Sequence, residues 1–381
     1  MQSQSVTDLT GAGATAPSDP PSDPAAGGVG SAGAADFDRH VRSAMAWHFS
    51  EATGSPFWLA KRSELGFDPL TEVTGAADLR RFPDVSDELR TVPAAALIPR
   101  GAAPDQAFRV YESGGTTGLP KRVVDGGYRS RMVAWAVDRL RANGVPQQGN
   151  WLHLGPAGPH VIAFDVAGYA ARSGSLCYTV DLDPRWVKRL LSAGRRREVS
   201  DYLDHVLDQA ELVLRSQPVA VLNTTPPLLE AICARADLRA LVAERVGAIV
   251  WGGTAFSRES LQLVEREMFP GIPLVGVYGN SLMGVAPQRP RQDGDAYPCV
   301  FEPFAETTRL ELVDGDGRPV GYGERGQVRL HLVSEEMFLP NIAERDTAIR
   351  VAPAAGSAVD GLAEVASVAR FEGADVVEGV Y

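Results

Sequence analysis

Apolar positions follow a helical period in the first part of the chain that shows any regular pattern. Over residues 37–50 they recur every three to four positions. This spacing predicts a helix whose buried face carries Phe37, Val41, Ala44, Met45 and His48. From there to about residue 100 the pattern is broken repeatedly by proline, so short helical or irregular segments are expected.

Beyond residue 100, short apolar runs alternate along the chain with segments of helical period. Strands are predicted over residues 107–111, 151–154, 175–180, 219–222, 246–251 and 273–278. Helices are predicted over residues 133–142, 198–216, 227–235 and 258–267. Strands that alternate with helices predict an α/β fold with parallel or mixed sheets flanked by helices.

The two ends of the chain differ from this central part. Residues 309–313 and 326–332 read as a β-pair around a turn rich in Asp and Gly, which predicts a small β subdomain. Residues 1–35 are almost all Ser, Gly, Ala, Pro, Thr and Asp, and such a segment buries too little apolar surface to become ordered. We therefore predict a disordered tail over 1–35, an α/β core over 36–305, and a β-rich subdomain with a C-terminal tail over 306–381.

Composition narrows the class of protein. The 381 residues include 37 Lys and Arg against 48 Asp and Glu, a net charge of −11 that argues against a nucleic-acid partner. A local cluster of donors can still hold a small anion. Three cysteines spaced far apart predict a reducing cytoplasm with neither a disulfide framework nor a zinc site. No run approaches the roughly 18 apolar residues of a membrane helix, and no secretory signal is recognisable, so no membrane association is predicted.

The strongest chemical signal is a loop that follows the strand at 107–111. Glycines let its backbone turn N–H groups toward an anion, hydroxyls add donors, and a lysine adds a positive charge. Hydrogen bonds to a charged partner contribute roughly 1.5–3 kcal/mol each, so a few of them can hold a polyphosphate. A Gly- and Thr-rich surface turn is the alternative. The loop reads Ser113-Gly114-Gly115-Thr116-Thr117-Gly118-Leu119-Pro120-Lys121.

This order of residues resembles the phosphate-binding motif of the adenylate-forming superfamily, which includes acyl-CoA synthetases, adenylation domains and luciferases. Three segments before the loop resemble the N-terminal region of phenylacetate-CoA ligases. They are Ser55-Pro56-Phe57-Trp58, Phe82-Pro83 and Leu89-Arg90. The resemblance implies a large N-terminal α/β domain that binds ATP and Mg²⁺. It also implies activation of a small carboxylic acid, an aryl acid in this branch, as an acyl-adenylate. The acceptor would be CoA or the thiol of an acyl carrier protein.

Further segments match the superfamily in the same order. Gly252-Gly253-Thr254 resembles its adenine-side segment, and Tyr278-Gly279-Asn280-Ser281 resembles the segment whose tyrosine stacks on adenine and whose hydroxyl residue contacts the α-phosphate. The resemblance places Asp346 on the ribose hydroxyls, a task that suits a carboxylate because it accepts two hydrogen bonds. A strand-ending turn, a core tyrosine and an exposed loop aspartate are the respective structural alternatives.

Four residues are the candidates for direct roles in the chemistry. Lys121, Thr116 and Thr117 belong to the loop, and His160 follows the strand at 151–154, where the resemblance implies the acyl pocket. A histidine hydrogen-bonded within the fold is the alternative for His160, and it is the preferred interpretation of His153.

Two departures from the superfamily are visible. The glutamate that helps to hold Mg²⁺ is replaced by Leu282, so the metal ligand is unknown. The chain ends at Tyr381 and has no lysine after Lys188, which predicts that the mobile C-terminal domain with its catalytic lysine is absent. The favoured interpretation is a stand-alone acid–AMP ligase. A complete acyl-CoA ligase and a nucleotide-binding protein without catalysis are the alternatives.

Overall fold

The first helix is longer than the pattern predicts. The computed structural model describes residues 29–115, 119–368, 370–371 and 374–375, with side chains for 33–115 and 119–368. Helix α1 (Val29–His48) begins at Val29 instead of residue 37, so part of the predicted tail is helical. Once the later turns of α1 are fixed by packing, each residue added at its start gains a backbone hydrogen bond. The helix therefore extends into residues that lack an apolar stripe. The face predicted to be buried is buried.

Short helices follow as far as residue 97. Helices α2 (Pro56–Lys61) and α3 (Pro69–Glu72) each begin with proline, whose missing N–H costs nothing in the first turn. Ser55 and Asp68 cap them by accepting backbone hydrogen bonds through their side chains. Short 3₁₀ helices lie at Arg62–Glu64, Ala76–Arg81, Glu88–Arg90 and Ala94–Leu97.

A six-stranded sheet forms the centre of the chain. It follows an antiparallel pair, β1 (Arg109–Glu112) and β2 (Arg122–Asp125). The strands of the sheet are β3 (Asn150–Gly155), β4 (Cys177–Asp181), β5 (Val219–Thr224), β6 (Ala248–Gly252), β7 (Leu274–Asn280) and β8 (Gly284–Pro287). Their order is β4-β3-β5-β6-β7-β8, and all pairs are parallel except β7 with β8.

Helices connect the strands, as the alternation of patterns predicts. They are α4 (Tyr128–Ala142), α5 (Val161–Arg172), α6 (Pro184–Ser192), α7 (Arg196–Ser216), α8 (Pro226–Ala234), α9 (Ala236–Arg245) and α10 (Arg258–Leu263). The helix predicted over 258–267 continues beyond α10 as a turn of π-helix at Val264–Met268. Two apolar clusters pack on the opposite faces of the sheet.

A second, antiparallel sheet holds the predicted β-pair. Its strands are β9 (Val300–Phe301), β10 (Thr308–Val313), β11 (Arg325–Val333), β12 (Phe338–Val351) and β13 (Gly361–Ser367), in the order β10-β11-β12-β13-β9. Strand β9 precedes residue 306, the predicted start of the β-rich part. A short ladder, β14 (Arg370–Phe371) with β15 (Ala374–Asp375), follows.

The N-terminal helices pack against this second sheet. The His48 imidazole contacts the Ser334 carbonyl at 2.6 Å, and the Trp58 indole N–H donates to the Phe338 carbonyl at 3.0 Å. The Phe82 ring meets the Phe338 ring edge-on, with centroids 5.2 Å apart. These contacts join the two ends of the chain in one core. The predicted α/β class with a small β-rich part is confirmed, and none of the described helices has the length and apolarity to cross a membrane.

Candidate functional site

A cavity of about 310 Å³ opens where the parallel strands of the central sheet end. The ends of β5, β6 and β7 contribute to its walls, together with the loop after β1 and part of β12. Open parallel sheets bind their ligands at this edge, because the chain leaves each strand there in loops free to carry polar groups. Every predicted site residue that the structure describes lines this cavity.

The predicted phosphate loop is closed at its base by two hydrogen bonds. The Ser113 N–H donates to the Lys121 carbonyl at 2.9 Å, and the Lys121 N–H donates to the Ser113 hydroxyl at 2.9 Å. Gly115 has φ of +64°, a left-handed conformation that favours glycine. Ser113, Gly114, Gly115 and Lys121 face the cavity. Thr116, Thr117 and Gly118 lie outside the described residues, so their predicted contacts stay predictions.

Arginines fix this loop to its surroundings. The Arg90 guanidinium donates to the Leu119 carbonyl. Behind the loop, Glu112 accepts hydrogen bonds from Arg122 at 3.0 Å and from Arg185 at 2.8 Å. Partial burial alone would raise the pKa of Glu112, but these two guanidinium groups hold it below its usual range. Glu112 is therefore ionised, and its two ion pairs hold the Arg122 and Arg185 side chains in place.

The end of β6 brings glycine close to its neighbouring strand. A Cβ atom on Gly252 would lie 2.5 Å from the Val277 carbonyl oxygen, so any larger residue would separate β6 from β7. Gly253 has φ of +87°, where side chains are strained. The Thr254 hydroxyl is buried and has no hydrogen-bond partner within the described part of the chain. These features leave room for a flat group beside the two glycines, and the Thr254 hydroxyl can donate a hydrogen bond to it.

The end of β7 is tied to the second sheet by one hydrogen bond. The Tyr278 hydroxyl donates to Asp346 Oδ2 at 3.1 Å, and the Ser367 hydroxyl donates to Asp346 Oδ1 at 3.0 Å. Burial raises the pKa of Tyr278, so its hydroxyl stays a donor. Asp346 is thus held in a fixed orientation at the cavity wall and is not an exposed loop aspartate.

After Tyr278 the chain turns sharply around an asparagine. The Asn280 side-chain oxygen accepts the backbone N–H groups of Leu282 at 2.8 Å and of Met283 at 3.0 Å. The Ser281 hydroxyl donates to the Glu112 carbonyl at 3.2 Å, next to the phosphate loop. Leu282, predicted from the resemblance to replace a metal-binding glutamate, is only 4% exposed.

Glu344 is a site residue that sequence reasoning missed. It lies two residues before Asp346 on β12, lines the cavity and is 8% exposed. Burial, reinforced by the charge of Asp346, raises the pKa of Glu344 to about 7, while the Lys121 charge acts in the opposite direction. The one signal in the sequence is the two-residue spacing from Asp346, which places both side chains on one side of a strand.

The two histidines near β3 differ in their surroundings. His160 is the residue before the first turn of α5, makes no side-chain capping hydrogen bond and lines the cavity, and burial together with the Arg185 charge lowers its pKa. His153 is buried with both ring nitrogens engaged, at 2.7 Å from Asn223 Oδ1 and 3.0 Å from the Pro156 carbonyl. His160 is therefore free to meet a ligand, and His153 has the structural setting predicted for it.

A buried ion pair lies at the inner end of the cavity. Arg129 Nη1 donates to both carboxylate oxygens of Asp165, at 3.2 and 2.9 Å, and Nη2 donates to the Ser281 carbonyl at 3.0 Å. Burial raises the pKa of Asp165 to about 6, opposed by the Arg129 charge. This pair connects α4 and α5 to the chain segment that follows Tyr278.

The described residues of the cavity form no ready-made metal centre. Across the residues with described side chains, no three His, Cys, Asp or Glu groups come together in a way that could hold a metal ion. Four carboxylates line the cavity among those residues, namely Asp165, Glu344, Asp346 and Glu364. Any metal that enters with a ligand would have to share its coordination between one of these groups, the ligand and water.

Solved structures of acyl-CoA ligases have a similar fold. A crystal structure of 2-hydroxyisobutyryl-CoA ligase with 2-HIB-AMP and CoA, in the thioesterification state, matches with a TM-score of 0.59 and 16% identity over 87% of this chain and 67% of that chain. An open conformation of that ligase matches with a TM-score of 0.60 and 14% identity over 86% and 67%. A postadenylation state with R3-HIB-AMP matches with a TM-score of 0.54 and 14% identity over 82% and 62%.

This likeness shows a shared fold. The chain spans about two thirds of the length of those ligases. No protein-family model and no curated protein sequence matches it. The predicted resemblance to the adenylate-forming superfamily is confirmed for the fold. The predicted nearness to phenylacetate-CoA ligases stays a prediction.

Proposed function

We propose, from the premise that this chain has the fold of the adenylate-forming ligases, that it binds ATP and activates a small carboxylic acid as an acyl-adenylate. The observation that carries the proposal is the convergence of three separate segments and Asp346 on one cavity. Each segment was singled out from the sequence for a different part of the nucleotide. Their convergence supports one ligand that spans all of them.

The nucleoside half would lie against β6 and β7. Tyr278 offers an aromatic face, and Gly252 and Gly253, at the end of the adjacent strand, carry no side chain that would block the adenine ring. Asp346 would accept the two ribose hydroxyls through the lone pairs left after its bonds to Tyr278 and Ser367. Because these bonds fix the carboxylate before the nucleotide arrives, little orientation entropy is lost on binding.

The phosphates would lie along the loop that Ser113 and Lys121 close. One oxygen of the substrate carboxylate attacks the α-phosphorus, and the bond from that phosphorus to the oxygen bridging it to the β-phosphorus breaks. Pyrophosphate leaves with the electron pair of that bond. The chain contributes by aligning the two reactants and by placing the Lys121 charge where negative charge accumulates. Mg²⁺ bound with the nucleotide would supply further charge stabilisation.

The acid would lie between α5 and the turn after β7. His160, Trp251 and Gly279 line the cavity, and Val161, Ile162 and Leu282 add apolar surface, a setting that suits a flat aryl acid. Phe164, although close in sequence, does not line the cavity. It packs instead under the Arg109 guanidinium, 4.0 Å from the ring centroid. His160 would be the polar anchor for the substrate carboxylate.

Two further questions can be tested, namely which thiol accepts the acyl group and whether the protein is a catalyst at all. The acyl group would pass to a thiol, either of CoA or of an acyl carrier protein in a biosynthetic pathway. The buried Leu282 favours a second candidate function, a nucleotide-binding protein without catalysis, because a hydrocarbon side chain cannot ligate Mg²⁺.

Direct detection of the intermediate tests the proposal. The protein is incubated with ATP labelled at the α-phosphorus and with a panel of benzoic, heteroaromatic and fatty acids. The expected product is labelled acyl-AMP with at least one aryl acid, and added CoA then shows whether the same chain completes the thioester. Nucleotide binding without acyl-AMP for any acid would favour the non-catalytic alternative, and fatty acids outperforming aryl acids would refute the substrate class.

A further inference from the structure

One carboxylate in the cavity has an oxygen without a hydrogen-bond partner among the described residues. Glu344 is more than nine-tenths buried, and its Oε1 atom has no hydrogen-bond partner among the side chains and backbone groups that the structure describes. Lys121 and Asn280 line the same cavity, and both stabilise the charged form of this carboxyl group and so lower its pKa. Buried polar atoms are nearly always satisfied, so an orphaned carboxylate oxygen facing a ligand cavity indicates that the ligand supplies its partner.

The other carboxylates that line the cavity are already engaged. Asp165 is bound by Arg129, and Glu364 lies 3.0 Å from Arg258. Asp346 accepts one hydrogen bond on each oxygen, from Tyr278 and from Ser367. Glu344 is thus the one cavity carboxylate, among the described residues, that makes no ion pair and leaves an oxygen without a partner.

The position of Glu344 suits a group that accompanies the phosphates. Lys121 belongs to the proposed phosphate loop, and Asn280 belongs to the segment proposed to contact the α-phosphate. Both lie close enough to act on the Glu344 carboxyl group. Two anions that share one cavity, a triphosphate and a buried carboxylate, repel each other unless a cation lies between them. Lys121 and Arg345 are the cations that act on Glu344, and Arg345 also lies 3.8 Å from Asp346, so these two charges do not balance a triphosphate together with Glu344 and Asp346.

Mg²⁺ is the cation whose coordination habits match this arrangement. It keeps several waters and is usually held by one or two carboxylates together with substrate phosphates, so no three-carboxylate cage is needed. The Leu282 side chain cannot bind Mg²⁺, because it is a buried hydrocarbon without an oxygen atom. We propose that Glu344, on β12, is the protein ligand for the Mg²⁺ that enters with ATP, an inference that rests on the proposed function. The metal-binding carboxylate of this chain is then on the second sheet and not in the turn after β7.

The test measures how much a metal ion contributes to nucleotide binding, with no turnover involved. The dissociation constant of α,β-methylene-ATP is measured by calorimetry in EDTA and in Mn²⁺, for the wild type and for Glu344→Gln. In the wild type, Mn²⁺ should tighten binding. In Glu344→Gln, binding in EDTA should be kept or improved, and the gain from Mn²⁺ should fall by roughly 10- to 100-fold. Glu364→Gln is the matched control, since it removes a cavity carboxylate paired with arginine, and it should leave the Mn²⁺ gain unchanged.

Each outcome has a distinct meaning. An undiminished Mn²⁺ gain in Glu344→Gln, in a variant that melts like the wild type, would overturn the assignment while leaving the proposed function intact. No binding of the nucleotide to the wild type in either condition would remove the proposed function, and the assignment with it. If Glu344→Gln does not fold, Glu344→Asp decides. It keeps a carboxylate at shorter reach, so a reduced Mn²⁺ gain supports the assignment and an unchanged one contradicts it.

Discussion

Lys121 is the residue on which the proposed chemistry depends most directly. Its backbone closes the loop through Ser113, and its side chain lines the cavity beside Glu344. Pro120 precedes it and stiffens the loop, because its ring fixes φ. A flexible ammonium held in this place can follow negative charge as it moves from the triphosphate to pyrophosphate.

Lys121→Ala should therefore remove about 2–4 kcal/mol of transition-state stabilisation, the scale for losing one preorganised electrostatic donor. This loss would appear as a lower kcat/KM for adenylation. The melting temperature should change little, because the side chain is partly exposed and makes no ion pair within the described part of the structure. The measurement is steady-state kinetics with the preferred acid.

Arg122→Ala is the control for this prediction. Arg122 is the neighbouring cation, but its guanidinium is committed to Glu112 at 3.0 Å. Arg122→Ala should therefore lower kcat/KM for adenylation much less than Lys121→Ala does. Equal losses in the two variants would mean that general positive charge near the loop matters and that Lys121 has no particular role.

At the scale of elements, α1 is attached to the second sheet through a neutral histidine. The His48 Nε2–H donates to the Ser334 carbonyl, and Nδ1 is buried without a partner among the described residues. A second proton would place an unsatisfied charge there, so burial lowers the pKa of His48 to about 4. The neutral ring also stacks on Phe338, with centroids 5.3 Å apart.

The stability that depends on neutral His48 should be fully present above pH 6.5, decrease as the pH falls, and be lost near pH 4. Each pKa unit corresponds to about 1.4 kcal/mol, so the wild type should lose roughly 3 kcal/mol through this group. His48→Gln keeps a donor for the Ser334 carbonyl and does not titrate. Urea unfolding at pH 7 and pH 4 should show a smaller loss for the variant by about that amount. Equal losses would mean that His48 is accessible to protons in the folded protein.

The pairing of β7 with β8 depends on a glycine at the cavity wall. A Cβ atom on Gly279 would lie 2.2 Å from the Gly284 carbonyl oxygen, a backbone atom that cannot rotate away. Gly279→Ala should therefore lower the free energy of unfolding by roughly 1–3 kcal/mol, the usual cost of forced packing. Gly315→Ala, where a Cβ meets open space, is the matched control and should be near neutral in the same denaturant titration. Similar results for both would show that the strand pair adjusts.

At the scale of the whole molecule, the cavity lies where the two sheets meet. Tyr278 at the end of β7 and Asp346 on β12 are joined by a hydrogen bond, so a nucleotide bound between them would contact both sheets. The N-terminal helices contact the second sheet through the hydrogen bond from Trp58 to the Phe338 carbonyl. The position of Asp346 thus depends on segments from both ends of the chain.

The sequence could predict the order of elements because apolar periodicity is local. It also predicted which segments converge, since parallel strands end at one edge of a sheet and Gly252 and Tyr278 each lie at the C-terminal end of such a strand. It could not predict that Glu344 is buried, because that burial is created by packing β12 beside a loop more than two hundred residues earlier in the chain. Nor could it predict where α1 begins, since helix extension from an anchored turn leaves no apolar pattern.

Exchange of labelled pyrophosphate into ATP tests the central claim most directly, because it reports formation of the acyl-adenylate in reverse as well as forward. The proposal predicts that exchange by the wild-type protein requires a carboxylic acid, is greatest with an aryl acid, needs Mg²⁺ and is greatly reduced in Lys121→Ala. No acid-dependent exchange across a broad panel, in a protein that still binds ATP, would contradict the claim that this cavity activates carboxylic acids.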